Sequence, residues 1–326
     1  SQGNAIQLGS GSGATSTPDQ TKVSLPSWQG GTITTQGLGI FKGKQDASKS
    51  PLYITGDTSL PSSATGTSNT TLGFGAGRYI GGSNNTFIGK QAGYNNTSSQ
   101  NTFVGKDCGY GSTSGYDNTG VGHFSLYGLT TGFGNVAMGY YSLRSMTSNS
   151  HSIGIGYQAG IGIRGGQNIC IGHNTGYNTA STNTGHNNVF IGQKVGYDIT
   201  SGYENVSIGR QSGENLTTGN KNIFLGSKAG FSHSTGDDNT YIGYYAGYET
   251  ANGTLNTYVG AYAGRWYATR GNYNVAIGGY ALAQGVGHNN VAIGYQSLYY
   301  GDNDGLIAIG YRANHQHHGK KTIAIG

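Results

Sequence analysis

A short apolar pattern recurs along most of the chain: an Asn, three residues with an aliphatic residue or Thr at each end, and a Gly. Residues 85–89 (Asn-Thr-Phe-Ile-Gly) are one copy, and residues 188–192 and 290–294 are others. The closing glycines, called motif glycines below, fall at positions 73, 89, 105, 122, 139, 156, 172, 192, 209, 226, 243, 260, 278, 294, 310 and 326. All but two of these fifteen intervals are 16 or 17 residues. A fixed period over most of a chain predicts a repeat architecture of stacked units.

Two positions of the motif are the most regular. The residue before each motif glycine is aliphatic, and the residue three before it is Thr, Val or Ile. Residues two apart on a strand share a face, and β-branched side chains favour strands. We therefore predict a short strand before each glycine with these two positions pointing into a core. The position between them, such as Phe87 or Tyr241, is then predicted to face outward as a hydrophobic stripe that needs a partner.

The remaining positions complete the unit. Asn stands four residues before the glycine in thirteen of sixteen repeats, which predicts a ladder of stacked amide side chains. The glycine is predicted to end the strand with a positive φ. A second short strand, such as residues 91–94, and a polar turn, such as residues 217–220, are predicted to follow. The fold class is thus all-β, a β-roll or β-solenoid of 16–17-residue coils.

The repeat divides the chain into two predicted regions. Residues 69–326 are predicted to be a β-roll repeat domain of about sixteen coils, roughly 75 Å long at the usual strand spacing. Residues 1–68 contain all four prolines and fit the repeat poorly. They are predicted to be an irregular N-terminal attachment or capping region, with a flexible linker as the alternative.

Composition narrows the function classes. Charged residues make up only 10% of the chain, against about 25% in ordinary soluble domains. The net charge of +5 is small and dispersed, which argues against a nucleic-acid partner. No apolar run is long enough to predict a membrane span. The Gly-x-Gly pairs are strand-corner glycines with no helix after them, so no cofactor is predicted. The outward stripe predicts association into a homo-oligomer with cyclic symmetry.

The unit Asn-x-x-Ile-Gly-x-x-Ala-Gly-Tyr, complete at residues 239–248, resembles the repeats of bacteriophage tail-fibre and virion-appendage proteins. The corner Ala-Ile-Gly, as at residues 276–278, resembles more loosely the head repeat of YadA-type trimeric autotransporter adhesins. The adhesin repeat is shorter than the repeat here, and the stalk coiled coil and membrane anchor of the adhesins have no counterpart in this sequence, which favours the fibre. The resemblance implies an extracellular homotrimer on a virion that attaches to a host-cell glycan or protein receptor, with other fibre proteins at its ends. A bacterial surface adhesin head is the alternative.

Catalytic and metal sites are not predicted. The thirteen Asp and Glu residues are scattered, although a polysaccharide-degrading spike, which needs two facing carboxylates, stays an alternative. Residues 315–318 (His-Gln-His-His) form the only His cluster, in a turn that is predicted to be a solvated loop. Cys108 and Cys170 lie in different positions of distant coils and are predicted to be free thiols.

Receptor contact is predicted at four aromatic residues in enlarged turns. Trp266, Tyr267, Tyr299 and Tyr300 could stack on sugar rings, or could simply cover the roll. Ice binding is set aside at this point because it needs an outward array of Thr, whereas the Thr position here is predicted to face inward.

Overall fold

In the computed structural model, the described residues are 41–42, 52–54, 66–178, 183–266, 271–285, 287–316 and 322–326. Most of the predicted N-terminal region, residues 1–68, therefore lies outside the described residues, as does Tyr267. Eighteen strands occur in chain order: β1 (Phe41–Lys42), β2 (Leu52–Ile54), β3 (Thr70–Leu72), β4 (Thr86–Ile88), β5 (Thr102–Val104), β6 (Thr119–Val121), β7 (Val136–Met138), β8 (Ile153–Ile155), β9 (Ile169–Ile171), β10 (Val189–Ile191), β11 (Val206–Ile208), β12 (Ile223–Leu225), β13 (Thr240–Ile242), β14 (Thr257–Val259), β15 (Val275–Ile277), β16 (Val291–Ile293), β17 (Ile307–Ile309) and β18 (Ile323–Ile325).

The strands form one parallel ladder in sequence order. Each strand from β2 to β17 pairs in parallel with the next, and β1 joins β2 antiparallel. The register stacks equivalent motif positions directly, as where Phe87 pairs with Phe103 and Ile88 with Val104. The predicted all-β solenoid is thereby confirmed, with sixteen parallel strands between β3 and β18 and no helix in the part of the chain that the structure describes. The ladder also includes β2, one step before the first motif glycine.

The predicted facing of the strand is wrong. In every strand from β3 to β17 the central residue is buried, and the two flanking residues are half-buried or exposed. Phe87 is 0% exposed and Met138, beside a motif glycine, is 43% exposed. Alternation fixes which residues share a face, but it does not say which of the two faces is covered. The stacked aromatic rings, such as Phe87 on Phe103 at 5.4 Å, fill the interior of the coil instead.

The predicted second strand is also absent from residues 91–94, which form consecutive turns. Gln91 (φ 58°) and Gly93 (φ 57°) are left-handed, and this curls the chain tightly after the glycine. Alternate N–H groups still bond between coils: Gln91 donates to the Phe74 carbonyl at 2.8 Å, and Gly93 donates to the Cys108 carbonyl at 2.9 Å. The inter-coil ladder therefore continues without extended backbone.

The predicted Asn ladder is confirmed. The Asn101 backbone N–H donates to Asn85 Oδ1 at 2.9 Å, and Asn118 Nδ2 donates to Asn101 Oδ1 at 3.1 Å. Asn101 Nδ2 donates in turn to the Gly115 carbonyl of the following coil at 2.8 Å. Where Ser152 replaces Asn, its hydroxyl takes over as the acceptor from the next backbone N–H. Because these side chains are fully buried, each must satisfy its polar atoms inside the stack.

The motif glycines are required by close backbone approach. Gly89 has φ +127°, and a Cβ added there would lie 2.6 Å from the backbone of Gly105 in the next coil. The same approach recurs from one motif glycine to the next up to Gly310. The sequence prediction of a positive φ at this corner is confirmed, and the absence of a side chain is needed as well.

The interior is filled jointly by the strand centre and by the residue four after the motif glycine. In the aromatic coils that residue is Gly: a Cβ on Gly93 would lie 2.7 Å from the Phe87 ring. In four coils the strand centre is Gly or Ala and the partner position is Leu. These pairs are Gly120 with Leu126, Ala137 with Leu143, Ala276 with Leu282, and Ala292 with Leu298. Large and small side chains thus exchange places while the volume of the core is kept.

Cys108 and Cys170 are both free, as predicted, and both are buried. Burial raises the pKa of each thiol to about 12, which disfavours the reactive thiolate. Both side chains therefore act as small packing groups.

Candidate binding surface

The part of each coil that follows the motif glycine carries most of the exposed rings. In most coils the positions one, two and five after the glycine lie outside the core, while the residues at three and four are buried. In the β13 coil these positions are Tyr244, Tyr245 and Tyr248, with Ala246 and Gly247 buried between them. Tyr244 is 48% exposed. The tight left-handed turns therefore hold aromatic side chains outside the solenoid.

These rings contact one another from coil to coil between β12 and β17. We call the group the aromatic strip: Phe231, Tyr244, Tyr245, Tyr248, Tyr262, Trp266, Tyr280, Tyr295, Tyr299, Tyr300, Tyr311 and His315. Tyr245 lies 4.6 Å from Tyr248 and 5.7 Å from Tyr262, measured between ring centroids. Tyr262 stacks on Tyr280 at 4.6 Å. The contacts make a continuous aromatic surface over three successive coils.

The strip continues past Tyr280 in two branches. One branch runs to Tyr299 at 6.5 Å and then to His315 at 5.2 Å. The other runs to Tyr295 at 6.1 Å and then to Tyr311 at 5.9 Å. The surface therefore widens toward β17.

Two cations lie over the rings. The Arg265 guanidinium is 3.9 Å from the Trp266 ring and 4.6 Å from the Tyr262 ring. The Lys228 ammonium is 5.1 Å from the Tyr245 ring, and its hydrogen-bonding interaction lowers the pKa of Tyr245. Cations at these distances are attracted by the faces of the rings. Arg265 Nε is buried and has no hydrogen-bond acceptor among the described residues.

The structure places three of the four predicted contact residues in this strip. Trp266, Tyr299 and Tyr300 are half-buried, and Tyr299 contacts Tyr300 edge-on at 4.8 Å. Trp266 is linked to this pair only indirectly, through Arg265 and the stacked tyrosines. The fourth, Tyr267, lies outside the described residues.

Sequence reasoning missed the centre of the strip. Tyr245, Tyr262 and Tyr280 all stand two residues after a motif glycine, and Arg265 stands five after one. The sequence shows that regular spacing, but a second strand is predicted for this segment, and in a strand alternate residues would point inward.

A second aromatic group lies in the coils of β3 to β9. Its rings are joined by successive contacts: Tyr79, Tyr94, Tyr110, His123, Phe124, Tyr127, Tyr140, Tyr141, Tyr157 and His173. The Arg144 guanidinium lies 4.7 Å from the Tyr141 ring. Tyr177 and Tyr197 stack on each other at 4.6 Å, and the next coil carries only polar residues at the equivalent positions: Arg210, Gln211 and Glu214. The two aromatic surfaces are therefore separate.

The strand face is the second candidate surface. We use this name for the residues one and three before each motif glycine in β3–β18. All are Thr, Val, Ile, Leu or Met, so this face carries no charge. Its most exposed apolar members are Leu72, Met138, Ile208, Ile223, Ile277, Ile309, Ile323 and Ile325. The predicted outward stripe exists, but these residues form it, and Phe87 and Tyr241 do not.

The prediction that the Thr position faces inward, which argued against ice binding, is therefore wrong, because this position faces outward. Only six of its sixteen positions are Thr, however, and the others are Val or Ile. The strand face is thus mainly aliphatic, without a regular array of hydroxyls.

Two aspartate side chains accept hydrogen bonds that join neighbouring coils. Asp237 Oδ1 accepts from the Asn220 backbone N–H at 2.8 Å, and Asp304 Oδ1 accepts from the His288 backbone N–H at 2.7 Å. No group of three or more His, Cys, Asp or Glu side chains that could hold a metal occurs within the described ranges. Of the predicted His cluster, His315 stacks on Tyr299, whereas residues 317–318 lie outside those ranges.

Comparison with known proteins assigns no family. No protein-family model matches the chain, and no curated protein matches it significantly. Among the residues that the structure describes, no helix is both long and apolar enough to cross a membrane.

Proposed function

We propose that the protein is a homotrimeric segment of a bacteriophage tail fibre that attaches the virion to its host cell. The observation that carries the proposal is the strand face, a continuous uncharged surface across sixteen stacked strands. A water-exposed apolar surface of this extent is typical of an interface between chains.

The strand face suits association with copies of itself. Every coil presents the same pair of positions in the same register, so neighbouring chains that associate side by side meet equivalent surfaces along their length. Burial of each large aliphatic side chain contributes about 1.5–3 kcal/mol. Closed cyclic symmetry is the usual outcome for identical chains, and the resemblance to fibre repeats implies three.

Attachment to a receptor fits the other surface. The aromatic strip lies on turns beyond the motif glycine, whereas the strand face lies before it. Association through the strand face therefore leaves the aromatic rings for a receptor on the host. We infer that the protein acts outside the cell by binding and not by catalysis.

The number of chains in solution tests the proposal first. Light scattering on the purified chain should give three times the 33.8 kDa chain mass. Ile208→Lys together with Ile277→Lys places charges on the strand face and should lower that mass. Gln193→Lys, at an exposed turn position, is the matched control and should leave the trimer intact. A wild-type chain that stays monomeric contradicts the proposal.

Location and activity separate the alternatives. Antibodies to this chain should label phage particles, and labelling of a bacterial surface alone would favour an adhesin head. After incubation with host capsule or lipopolysaccharide, the glycan should keep its length, whereas shortening would favour a degrading spike.

A further inference from the structure

We propose that the aromatic strip binds an acidic polysaccharide whose sugar rings carry carboxylates. This inference rests on the proposed function, since it names the class of receptor for the same attachment surface. It requires a surface that combines exposed rings, fixed cations and few carboxylates.

The rings supply the first requirement. Tyr244, Tyr295 and Tyr311 are 48%, 46% and 68% exposed and offer ring surface to a ligand, whereas Tyr262 and Tyr280 stack on each other at 4.6 Å. A sugar presents an apolar C–H face that packs on an aromatic ring, and tyrosine adds a hydroxyl that can bond to sugar hydroxyls. A row that crosses several coils suits a polymer, because successive sugars can meet successive rings.

The charges supply the second requirement. In the coils that follow the motif glycines from 226 to 310, the positions one, two and five after the glycine include Lys228, Arg265 and Arg312. None of these positions carries Asp or Glu. Position six, which holds Trp266 and Tyr300 in other coils, is Glu249 in the β13 coil, and its backbone N–H donates to the Arg265 carbonyl at 3.0 Å. Among the described residues the Glu249 carboxylate forms no ion pair with any of the three cations, so they are available to an anionic ligand.

Arg265 is the central cation. Its guanidinium packs on the Trp266 and Tyr262 rings, and its buried Nε has no acceptor among the described residues. A guanidinium that packs on a ring keeps planar N–H donors that match a carboxylate in geometry. The geometry therefore assigns Arg265 to the carboxylate of a sugar bound beside Tyr262.

A single-stranded nucleic acid fits the strip less well. Its backbone has a phosphate at every nucleotide, and proteins that bind it track that backbone with a positively charged groove. Three cations spread over six coils are too sparse for that purpose. They suit a polymer in which only some sugars are charged.

Binding of the full-length chain to polygalacturonate, measured by calorimetry, tests the proposal. Lys228→Gln with Arg265→Gln should weaken binding by about ten-fold or more, as expected for the loss of two charge-assisted contacts. Arg210→Gln with Lys221→Gln removes the same charge outside the strip, at exposed sites, and should change affinity less than about two-fold.

The contribution of the rings is tested by Tyr262→Asn with Tyr280→Asn. Asn tolerates a left-handed backbone, and Asn174 already occupies the equivalent position of another coil with φ 53°. This variant should keep the wild-type unfolding midpoint while losing polygalacturonate binding. Retained binding would contradict a contribution of these rings to the site.

The ligand class is tested with neutral dextran and a thymidine oligonucleotide, both of which should bind weakly or not at all. Any one of three results would overturn the proposal. The control pair could weaken binding as much as the strip pair, or the oligonucleotide could bind as tightly as the polyuronate. The third result is no binding to polygalacturonate, alginate and hyaluronate. A trimer that binds none of these polyuronates refutes this inference alone. A monomer that binds them refutes the trimeric fibre alone.

Discussion

The coils of β12–β14 and those of β15–β16 keep the same outer shape with different interiors. The first group stacks Phe224, Tyr241 and Tyr258 at its strand centres, with centroids 5.1 and 4.9 Å apart. The second has Ala276 and Ala292 there, and it fills the space from the other side of the coil with leucines. The difference shows that two positions, six residues apart, fill the interior of the coil together. Neither position can be interpreted without the other.

The largest expected effect comes from placing a large side chain in both positions of one coil. Gly247→Leu should destabilise the protein by about 3–5 kcal/mol, because a Cβ there would lie 2.5 Å from the Tyr241 ring and the residue has φ +59°. Urea unfolding followed by circular dichroism measures the loss.

The companion variant makes the comparison decisive. Adding Tyr241→Ala to Gly247→Leu recreates the pairing of Ala276 with Leu282, and it should recover more than half of the lost stability. If the double variant is no more stable than Gly247→Leu alone, the idea of a shared volume is wrong.

In the coils with Ala at the strand centre, stability should be lost when the partner leucine is truncated. Leu282→Ala should cost about 2–4 kcal/mol, because it leaves a cavity beside Ala276 that a rigid stack cannot close. Leu255→Ala is the matched control: this leucine is 46% exposed, and its truncation should leave the unfolding midpoint almost unchanged. Equal effects of the two variants would contradict the assigned packing.

The stability of the aromatic coils should depend on pH through the buried His233. His233 is buried, with Nδ1 2.7 Å from the Thr250 carbonyl oxygen and Nε2 2.9 Å from the Gly236 carbonyl oxygen. Burial lowers the pKa of His233, against smaller opposing effects of the two carbonyls and of Asp237. The folded protein thus favours neutral imidazole, and stability is full above the unfolded-state pKa of about 6.5. It then falls as the pH drops below that value, by at most about 1.4 kcal/mol per pH unit.

His233→Leu provides the measurement, because Leu216 occupies the same position one coil earlier. Urea midpoints at pH 7.5 and pH 5 should differ less in this variant than in the wild type, since all other titrating groups are shared. An unchanged pH dependence would show that His233 does not protonate on unfolding.

The smallest effect is expected from Tyr258→Phe. The Tyr258 hydroxyl is fully buried and has no hydrogen-bond partner among the described residues. Its removal leaves the ring stack as it is at Phe224, so the free energy of unfolding should change by less than about 1 kcal/mol and should rise. A loss of about 2 kcal/mol or more in thermal or urea unfolding would contradict this description.

The spacing of the repeat predicted those features of the fold that are set by a single recurring position of the motif. The parallel register, the Asn ladder through Asn85 and Asn101 and the positive φ of Gly89 each follow from a residue type that recurs at a fixed interval. Stacked coils place identical positions above one another, so a constant residue at one position implies a constant contact. That Cys108 and Cys170 are not joined in a disulfide followed from the same spacing.

The aromatic strip was only partly predictable. Trp266, Tyr299 and Tyr300 were found because they stand in enlarged turns, whereas Tyr245, Tyr262 and Tyr280 were not. Their outward direction depends on left-handed residues at successive turns, such as Tyr262 itself (φ 61°). Left-handed tyrosine is uncommon, and propensity alone does not predict it.

The sequence by itself determined that the chain repeats, how its units align and which residues of each strand share a face. Only the tertiary structure decided which face is covered, because alternation is symmetrical between inside and outside. The residue four after the glycine packs across the coil against the strand centre: Gly93 leaves room for the Phe87 ring, and Leu282 fills the space beside Ala276. This packing leaves the aliphatic residues on the outside, and the surface available for a partner follows from it.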